Sequence, residues 1–232
     1  MTSIVLIHGM GRTPLSMQIL RLRLVKQGYR VLLFGYSQTF ESLETVSRRL
    51  VSLIRHRIGA EPYVLAGHSL GTVIIRNTLS ALEDSPPAAC FFFAPPIRAC
   101  KVARHFAGWR FYRLLTGEMG QLLANADFMD NLPMPRMPTR IYAGTAGPRA
   151  NGWYAPFGDE LNDGILTLAE ASSEAAPVLQ VASMHTFIMN SREVSRDMLN
   201  TLAALGLNCG KLTFSHLKDS GPSARSESRH DS

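Results

Sequence analysis

The sequence has 232 residues, 46% of them apolar, and a mean hydropathy of +0.02, which predicts one soluble globular domain with a sizeable core. The formal net charge is +6 and the calculated pI about 9.5, but the basic residues are scattered, without a stripe or a known nucleic-acid-binding motif, so we expect no nucleic acid partner. The three cysteines have neither metal-ligand nor CxxC spacing, which argues against a metal site or a disulfide framework and favours a reducing compartment.

The chain opens with a short apolar run that leads into glycines. Ser3 to Ile7 has the β-branched composition of a strand, and no positive charge precedes it. A run of about five residues is too short for a signal-peptide core or a membrane span, so we expect a cytoplasmic protein. The strand leads into HGMG, His8 to Gly11, where the backbone N–H of Met10 is a candidate donor to a developing oxyanion. A simple glycine-rich turn is the alternative, whereas the lysine of a P-loop is missing.

The rest of the chain alternates between two hydrophobic patterns. Five further strands are predicted from short β-branched and aromatic runs, at Arg30 to Phe34, Tyr63 to Ala66, Cys90 to Phe93, Arg140 to Ala143 and Val178 to Val181. Three- and four-residue spacing of apolar side chains predicts helices at Leu15 to Val25, Leu43 to Ile58 and Thr72 to Leu82. This alternation predicts an α/β fold whose mostly parallel, six-stranded sheet has helices on both faces.

The third strand runs into GHSLG, which places Ser69 between a strand and a helix. A serine hydroxyl is a weak nucleophile, so it must be exposed at a sharp turn and paired with a base. The flanking glycines permit such a turn, and the backbone N–H of Leu70 is then a second candidate oxyanion donor. A structural turn that happens to hold a serine is the alternative, because glycine and serine are common turn residues.

Residues 99–136 replace the single helix expected after the fourth strand with a longer apolar and basic stretch. We predict an insertion of two helices that forms a small cap over the site. Its apolar residues could equally replace a helix that covers the core. On a continuous helix Val102, Phe106, Trp109 and Arg113 would share one face, so apolar and charged side chains separate imperfectly and we expect at most weak contact with a membrane surface.

Two further candidate groups follow the fifth strand. His185 lies between the last strand and the last predicted helix, on a loop of the kind that carries catalytic residues in parallel sheets, and is the expected general base. Its acid partner would come from FGDELNDGILTLAEA. Asp163 is favoured because Gly164 allows a sharp turn after it, with Asp159 second and Glu160 third. The tail, residues 216–232, has almost no apolar side chains and is predicted to be disordered, which leaves residues 1–215 as one domain.

In this chain order the motifs resemble those of the α/β-hydrolase superfamily, and within it the small bacterial lipases and serine esterases. VLIHGMG is similar to the oxyanion strand and loop, GHSLG to the nucleophile elbow, NDGI to the acid turn and the His185 segment to the histidine loop, over Ile4 to Leu205. The resemblance implies a minimal α/β-hydrolase fold with these roles: Ser69 as nucleophile, His185 as base, Asp163 as orienting acid, and the amides of Met10 and Leu70 as the oxyanion hole.

The implied activity is hydrolysis of a small-molecule acyl ester through an acyl-enzyme intermediate, with no metal and no organic cofactor. A thioesterase or amidase with the same triad is one alternative, and a non-catalytic binding protein of the same fold is another. Thr72 stands where many members have a second glycine, GHSxGG, which changes how closely the helix approaches its neighbours. Related lipases that act outside the cell are exported, so secreted lipid digestion is not expected here.

Overall fold

The computed structural model describes residues 1–148, 151–152 and 155–207. The predicted disordered tail, residues 216–232, lies outside the described residues, as does Cys209. The strands that these residues form are β1 (Ser3–Ile7), β2 (Arg30–Phe34), β3 (Tyr63–His68), β4 (Ala89–Phe93), β5 (Thr139–Gly144), β6 (Asn151–Gly152), β7 (Ala155–Pro156) and β8 (Val178–Val181). All six predicted strands are therefore present, within two residues of their predicted bounds.

Six of the strands form one sheet in the order β2-β1-β3-β4-β5-β8, and every neighbouring pair is parallel. The chain moves from β1 to β2 in one direction and then crosses β1 to continue in the other. The strand order therefore reverses between β1 and β3, where Ile7 pairs with Gly67. Open parallel sheets bind ligands beyond the carboxyl ends of their strands at such a switch point. Both predicted glycine turns, HGMG and GHSLG, follow the strands that flank it.

Helices cover both faces of the sheet, as predicted. They are α1 (Gln18–Lys26), α2 (Leu43–Arg57), α3 (Leu70–Thr78), α4 (Lys101–Phe106), α5 (Arg110–Ala124), α6 (Ala126–Asn131), α7 (Leu168–Ala171) and α8 (Arg192–Ala204). One core layer joins α2, α3 and the second half of α5 to the sheet, and the other joins α1 and α8 to its opposite face. Central strands buried on both faces explain continuous apolar runs such as Phe91 to Phe93, all fully buried.

The insertion differs from its predicted form. It contains three helices, α4, α5 and α6, rather than two, and α5 bends at Gly117, which has φ +58°. A Cβ at Gly117 would lie 2.7 Å from the carbonyl oxygen of Gln38, so the bend is fixed by close packing against the loop after β2. Because α4 ends at Phe106, the predicted shared face of Val102, Phe106, Trp109 and Arg113 does not form.

Two small elements were not predicted. The strands β6 and β7 form an antiparallel pair outside the main sheet. Helix α7 begins with a capping box in which the Thr167 hydroxyl accepts from the Glu170 N–H while the Glu170 carboxylate accepts from the Thr167 N–H. The sequence TLAE carries that signal, which the spacing of apolar residues does not reveal. No helix in the described part of the chain is long and apolar enough to cross a membrane.

Candidate active site

Ser69 lies at a sharp turn between β3 and α3. Its backbone has φ +50° and ψ −118°, and Ser69 and Ala94 are the non-glycine residues with positive φ in the described chain. Such a conformation costs on the order of 1–3 kcal/mol and persists only when surrounding contacts enforce it. Here the Ser69 N–H donates to the Phe93 carbonyl at 2.9 Å, which ties the turn to the end of β4. The hydroxyl forms no hydrogen bond with any residue that the structure describes.

The two flanking glycines are required by close backbone contacts. A Cβ on Gly67 would lie 2.7 Å from the carbonyl carbon of Gly71, and one on Gly71 would lie 2.6 Å from the Ile7 carbonyl oxygen. Thr72, the departure from the GHSxGG pattern, is fully buried, and its hydroxyl donates to the Ser69 carbonyl at 2.7 Å. The side chain at position 72 therefore adds a contact that holds the turn, which glycine could not supply.

The loop after β1 lies directly beside Ser69. A Cβ on Gly9 would lie 3.1 Å from the Ser69 Cβ and 2.6 Å from Nδ1 of His68. The next residue is Met10, whose N–H, like that of Leu70 at the start of α3, donates to no described residue. Two free amides next to a strained serine are an arrangement that can stabilise an oxyanion.

A buried histidine and a tyrosine hold this loop in place. His8 Nδ1 lies 2.9 Å from the Gly9 carbonyl oxygen, so it must carry the proton, and Nε2 then accepts from the Tyr36 N–H at 3.4 Å. The Tyr36 hydroxyl donates to the His8 carbonyl at 2.9 Å, and the two rings stack at 4.3 Å. Burial lowers the pKa of His8 below its usual value, which favours this neutral tautomer.

His185 and Asp163 form a buried pair. His185 Nδ1 donates to Asp163 Oδ2 at 2.8 Å, and Asp163 is 1% exposed. The other carboxylate oxygen accepts from the backbone N–H groups of Ile165 and Leu166 at 2.9 and 2.8 Å. The His185 N–H also donates to the Asp163 carbonyl at 2.8 Å, so backbone and side chain fix the pair in one orientation. The Nε2 atom is left as the basic nitrogen.

The other two acidic candidates do not make this contact. Asp159 and Glu160 are exposed, and Glu160 forms an ion pair with Lys101 at the start of α4. Asp163 is therefore the one of the three predicted acids that the structure brings to His185. The sharp turn expected after it is present, because Gly164 has φ +96°.

His68 connects the two halves of the site. Its Nε2 donates to the His185 carbonyl at 2.9 Å, and the two rings lie 5.0 Å apart. Its Nδ1 is buried without a partner among the described residues. Burial and the neighbouring His185 lower the pKa of His68 well below its usual value. The link from the Ser69 turn to the His185 loop therefore passes through a neutral imidazole.

Two further residues that the sequence argument missed support the acid turn. The Asn162 side chain donates to the Pro148 and Glu160 carbonyls and accepts from the Gly164 N–H at 2.9 Å. A Cβ on Gly144, at the end of β5, would lie 2.7 Å from the Asp163 Cβ. The Asn-Asp-Gly sequence is a turn signal that could have identified Asn162, whereas the Gly144 contact exists only in the fold. Among the described residues no group of three His, Cys, Asp or Glu side chains is placed to hold a metal ion.

Comparison with known proteins bears on the family and the fold. A family model described as "Alpha/beta hydrolase family" matches residues 4–206. A search of curated protein sequences finds no significant match.

Solved structures with the same fold share little sequence with this chain. The mature lipase BlEst2 of Bacillus licheniformis has a TM-score of 0.65 and 16% identity over 88% of this chain and 91% of its own. The RedJ thioesterase of the prodiginine biosynthetic pathway of Streptomyces coelicolor has a TM-score of 0.57 and 18% identity over 89% and 85%. The phospholipase PlaB of Legionella pneumophila has a TM-score of 0.62 and 14% identity over 74% of this chain, which spans 46% of that protein.

Proposed function

Because this chain belongs to the α/β hydrolase family, we propose that it is a serine hydrolase that cleaves carboxylic esters, with Ser69 as nucleophile, His185 as general base and Asp163 as the orienting acid. The observation that carries the proposal is the 2.8 Å hydrogen bond from His185 Nδ1 to Asp163 Oδ2. This bond fixes the imidazole tautomer that leaves Nε2 free to take a proton. His185 is held in that way and is joined through His68 to the turn that carries the strained Ser69. Acyl transfer requires a base and a nucleophile in such an arrangement.

The reaction follows from these positions. Ser69 Oγ attacks the acyl carbon as its proton passes to His185 Nε2, and the Asp163 carboxylate stabilises the imidazolium that results. The N–H groups of Met10 and Leu70 donate hydrogen bonds to the oxyanion of the tetrahedral intermediate. The imidazolium then gives its proton to the leaving alcohol, and a water activated by Nε2 cleaves the acyl enzyme.

The proposal requires Ser69 Oγ to reach His185 Nε2 when substrate is bound. The structure shows no hydrogen bond between these two side chains. Catalytic hydrogen bonds of this kind are often long in the free enzyme and shorten in the substrate complex. The His68 bond to the His185 carbonyl supports the required closeness, because His68 is the immediate neighbour of Ser69.

Replacement of Ser69 tests the assignment. On chromogenic acetyl, butyryl and octanoyl esters, Ser69→Ala should lower kcat/KM by at least about 10³-fold, because the nucleophile is lost. Ser52→Ala, at an exposed serine of α2, is the matched control and should leave the rate unchanged. A fluorophosphonate probe should label the wild-type chain and the Ser52 variant but not the Ser69 variant. Hydrolysis and labelling that survive Ser69→Ala would overturn the proposal.

The same assay separates the scissile bonds. Matched ester, thioester and anilide substrates with one acyl group differ only in the atom that leaves. An ester hydrolase should process the ester with the highest kcat/KM, whereas a thioesterase should process the thioester with the highest kcat/KM. The Streptomyces neighbour is named a thioesterase. No turnover of any substrate together with no probe labelling would indicate a non-catalytic protein.

A further inference from the structure

An exposed apolar and basic surface lies on the insertion. We call it the insertion patch, and it consists of Phe40, Trp109, Phe111, Leu114 and Leu115 with Arg104, Arg110 and Arg113 beside them. Phe40, Leu114 and Phe111 are 89%, 72% and 69% exposed. Scattered exposed apolar residues need no explanation, but a contiguous set marks an interaction site.

The first half of α5 places these side chains on one face. With 100° between successive residues, Phe111, Leu114 and Leu115 fall within about 100° of each other on the helix surface. Arg110 and Arg113 lie along one border of that face, and Tyr112 is turned towards the core. The helix is therefore amphipathic with its apolar side towards solvent, the reverse of a helix that covers a core.

The bend at Gly117 explains this reversal. After the bend, Met119 and Leu123 are buried in the core, whereas before it Phe111, Leu114 and Leu115 are exposed to solvent. The loop after β2 supports the exposed half, because the Thr39 hydroxyl donates to the Leu115 carbonyl at 2.7 Å. That contact brings Phe40, the next residue, beside α5 and extends the apolar surface beyond the helix.

The insertion patch and the candidate active site share one edge of the sheet. The loop of Phe40 follows β2, and the insertion follows β4, so both leave the carboxyl ends of parallel strands. Ser69 and His185 follow β3 and β8 at the same edge. A surface that contacts the patch therefore meets the side of the molecule that carries Ser69.

The charge of the patch limits what can cover it. Residues 101–118 contain Lys101, Arg104, Arg110 and Arg113 and one acidic residue, Glu118, whose carboxylate accepts from the Leu43 N–H at 3.3 Å. Lys101 pairs with Glu160, whereas the three arginines form no ion pair with a described residue. A second copy of the chain on this surface would bring arginines against arginines, which is unfavourable. An occupant must combine negative charge with an apolar layer that accepts aromatic and leucine side chains.

We propose that the insertion patch docks the protein on anionic lipid bilayers, with Phe40, Phe111 and Leu114 in the apolar layer and Arg110 and Arg113 among the headgroups. An interfacial helix combines these same features: a solvent-facing apolar side, arginines on its border and an aromatic residue, Trp109, at its end. Each arginine near an anionic surface strengthens binding by several-fold. The proposal does not depend on Ser69, so a protein that hydrolyses no ester can still bind.

Vesicle binding tests the proposal with the full chain carrying Ser69→Ala, so that no lipid is hydrolysed. Flotation with phosphatidylcholine vesicles that contain about a third phosphatidylglycerol should recover the protein, and pure phosphatidylcholine should recover at least tenfold less. Raising the salt from about 0.1 M to 1 M should release it, because the Debye length falls from about 10 Å to 3 Å. Emission of Trp109 should shift to shorter wavelength on binding, and Trp109→Phe should remove that shift.

Two double substitutions with matched controls separate the contributions. Arg110→Gln with Arg113→Gln should weaken binding by tenfold or more, whereas Arg48→Gln with Arg57→Gln, at exposed positions of α2, removes the same charge and should have little effect. Phe111→Ser with Leu114→Ser should abolish binding, whereas Ile19→Ser with Leu22→Ser on α1 should not. Circular dichroism checks that each variant is folded.

Three results would overturn the proposal. The first is equal recovery with neutral and anionic vesicles, and the second is equal loss in the two arginine variants. The third is absence of vesicle binding. In that case the patch could be covered by a second copy of the chain, in a dimer that Phe111→Ser disrupts, or by residues 208–232 of the same chain. Sedimentation equilibrium and hydrogen exchange of α5 identify which of these occupants is present.

Discussion

Three hydrogen bonds hold the backbone of Ser69 in its turn. Its N–H donates to Phe93, and its carbonyl accepts from both the N–H and the hydroxyl of Thr72, at 2.9 and 2.7 Å. These bonds offset a conformational cost of on the order of 1–3 kcal/mol. The hydroxyl itself is left without a described partner. The residues around Ser69 thus hold a strained backbone whose hydroxyl does not cap the helix that follows.

Exchange of the acid tests the orienting role that we propose for Asp163. Asp163→Asn should lower kcat for ester hydrolysis by about 10³–10⁴-fold, because an amide no longer fixes the Nδ1–H tautomer or stabilises the imidazolium. Asp159→Asn makes the same chemical change at an exposed position four residues earlier and should change kcat by less than about twofold. Equal rates in both variants would show that the buried pair is structural.

The two neutral histidines predict a pH dependence of stability. The pKa values of His8 and His68 are lowered by burial, so between their folded values and the unfolded value of about 6.5 the unfolded chain binds more protons. Their contribution is therefore complete above about pH 6.5 and is lost as the pH falls below it. Each group adds at most about 1.4 kcal/mol per pH unit to the slope of the unfolding free energy.

Urea unfolding between pH 7.5 and 5.5 measures this slope. His68→Gln should lower stability at pH 7.5, because the bond to the His185 carbonyl is weakened, but should flatten the slope. His56→Gln, at an exposed position of α2, should leave the slope as it is in the wild type. A slope that is the same in all three proteins would contradict the neutral state of His68.

At this scale, chain order was enough to nominate Ser69, Asp163 and His185, because strand ends and turn residues mark the positions of reactive side chains. It could not identify Tyr36 or the bonding of His68. Tyr36 follows β2 and His68 ends β3, and their partners, His8 and His185, follow β1 and β8, so their roles depend on strand order. A single sequence shows local pattern but not which strand ends become neighbours.

Among the elements, the packing of α3 against the end of β1 depends on Gly71, which has no side chain. A Cβ at Gly71 would lie 2.6 Å from the Ile7 carbonyl oxygen and 2.8 Å from that of His8, and backbone atoms at the sheet centre cannot move aside cheaply. Gly71→Ala should therefore destabilise the fold by about 1–3 kcal/mol and reduce hydrolysis, because α3 carries the Leu70 amide. Gly108→Ala is the matched control.

Gly108 lies between α4 and α5, and a Cβ there would meet nothing within 4 Å. Its replacement should change the free energy of unfolding by less than about 0.5 kcal/mol. Thermal unfolding and ester hydrolysis of the two variants provide the comparison. A Gly71 variant as stable and active as the Gly108 variant would mean that the helix can shift without consequence for the turn.

The strands were predictable and the insertion was not, for a physical reason. A strand buried on both faces, such as β4, shows a continuous apolar run that survives any tertiary context. The bend at Gly117 instead depends on contact with Gln38, about 80 positions earlier in the chain, which no local pattern reveals. The wrong shared face has a different cause: α4 ends at Phe106, so Val102 and Arg113 lie on separate helices.

Across the whole molecule, one buried arginine joins the helix that follows Ser69 to the insertion. Arg76 lies on α3 and is 2% exposed, and burial lowers its pKa to about 10, so it remains protonated at neutral pH. Its guanidinium donates to the carbonyls of Pro96, Ile97, Met129, Leu132 and Pro133, at 2.6 to 3.4 Å. These carbonyls belong to the segment after β4 and to the end of α6, the two places where the insertion meets the core.

Removal of Arg76 should therefore loosen the insertion and destabilise the fold together. Arg76→Met fills much of the same volume but leaves buried carbonyls unpaired, and should cost roughly 3–5 kcal/mol by urea unfolding. Arg76→Lys should recover only part of this, because one ammonium group cannot donate to five separated acceptors.

Arg55→Met is the control, since Arg55 also donates to a carbonyl, that of Ala81, but at an exposed position where water can replace it. Hydrogen exchange should show faster opening of α6 in the Arg76 variants than in the control. A cost below about 1 kcal/mol would mean that water enters this site and satisfies the carbonyls, so that packing alone holds the insertion on the core.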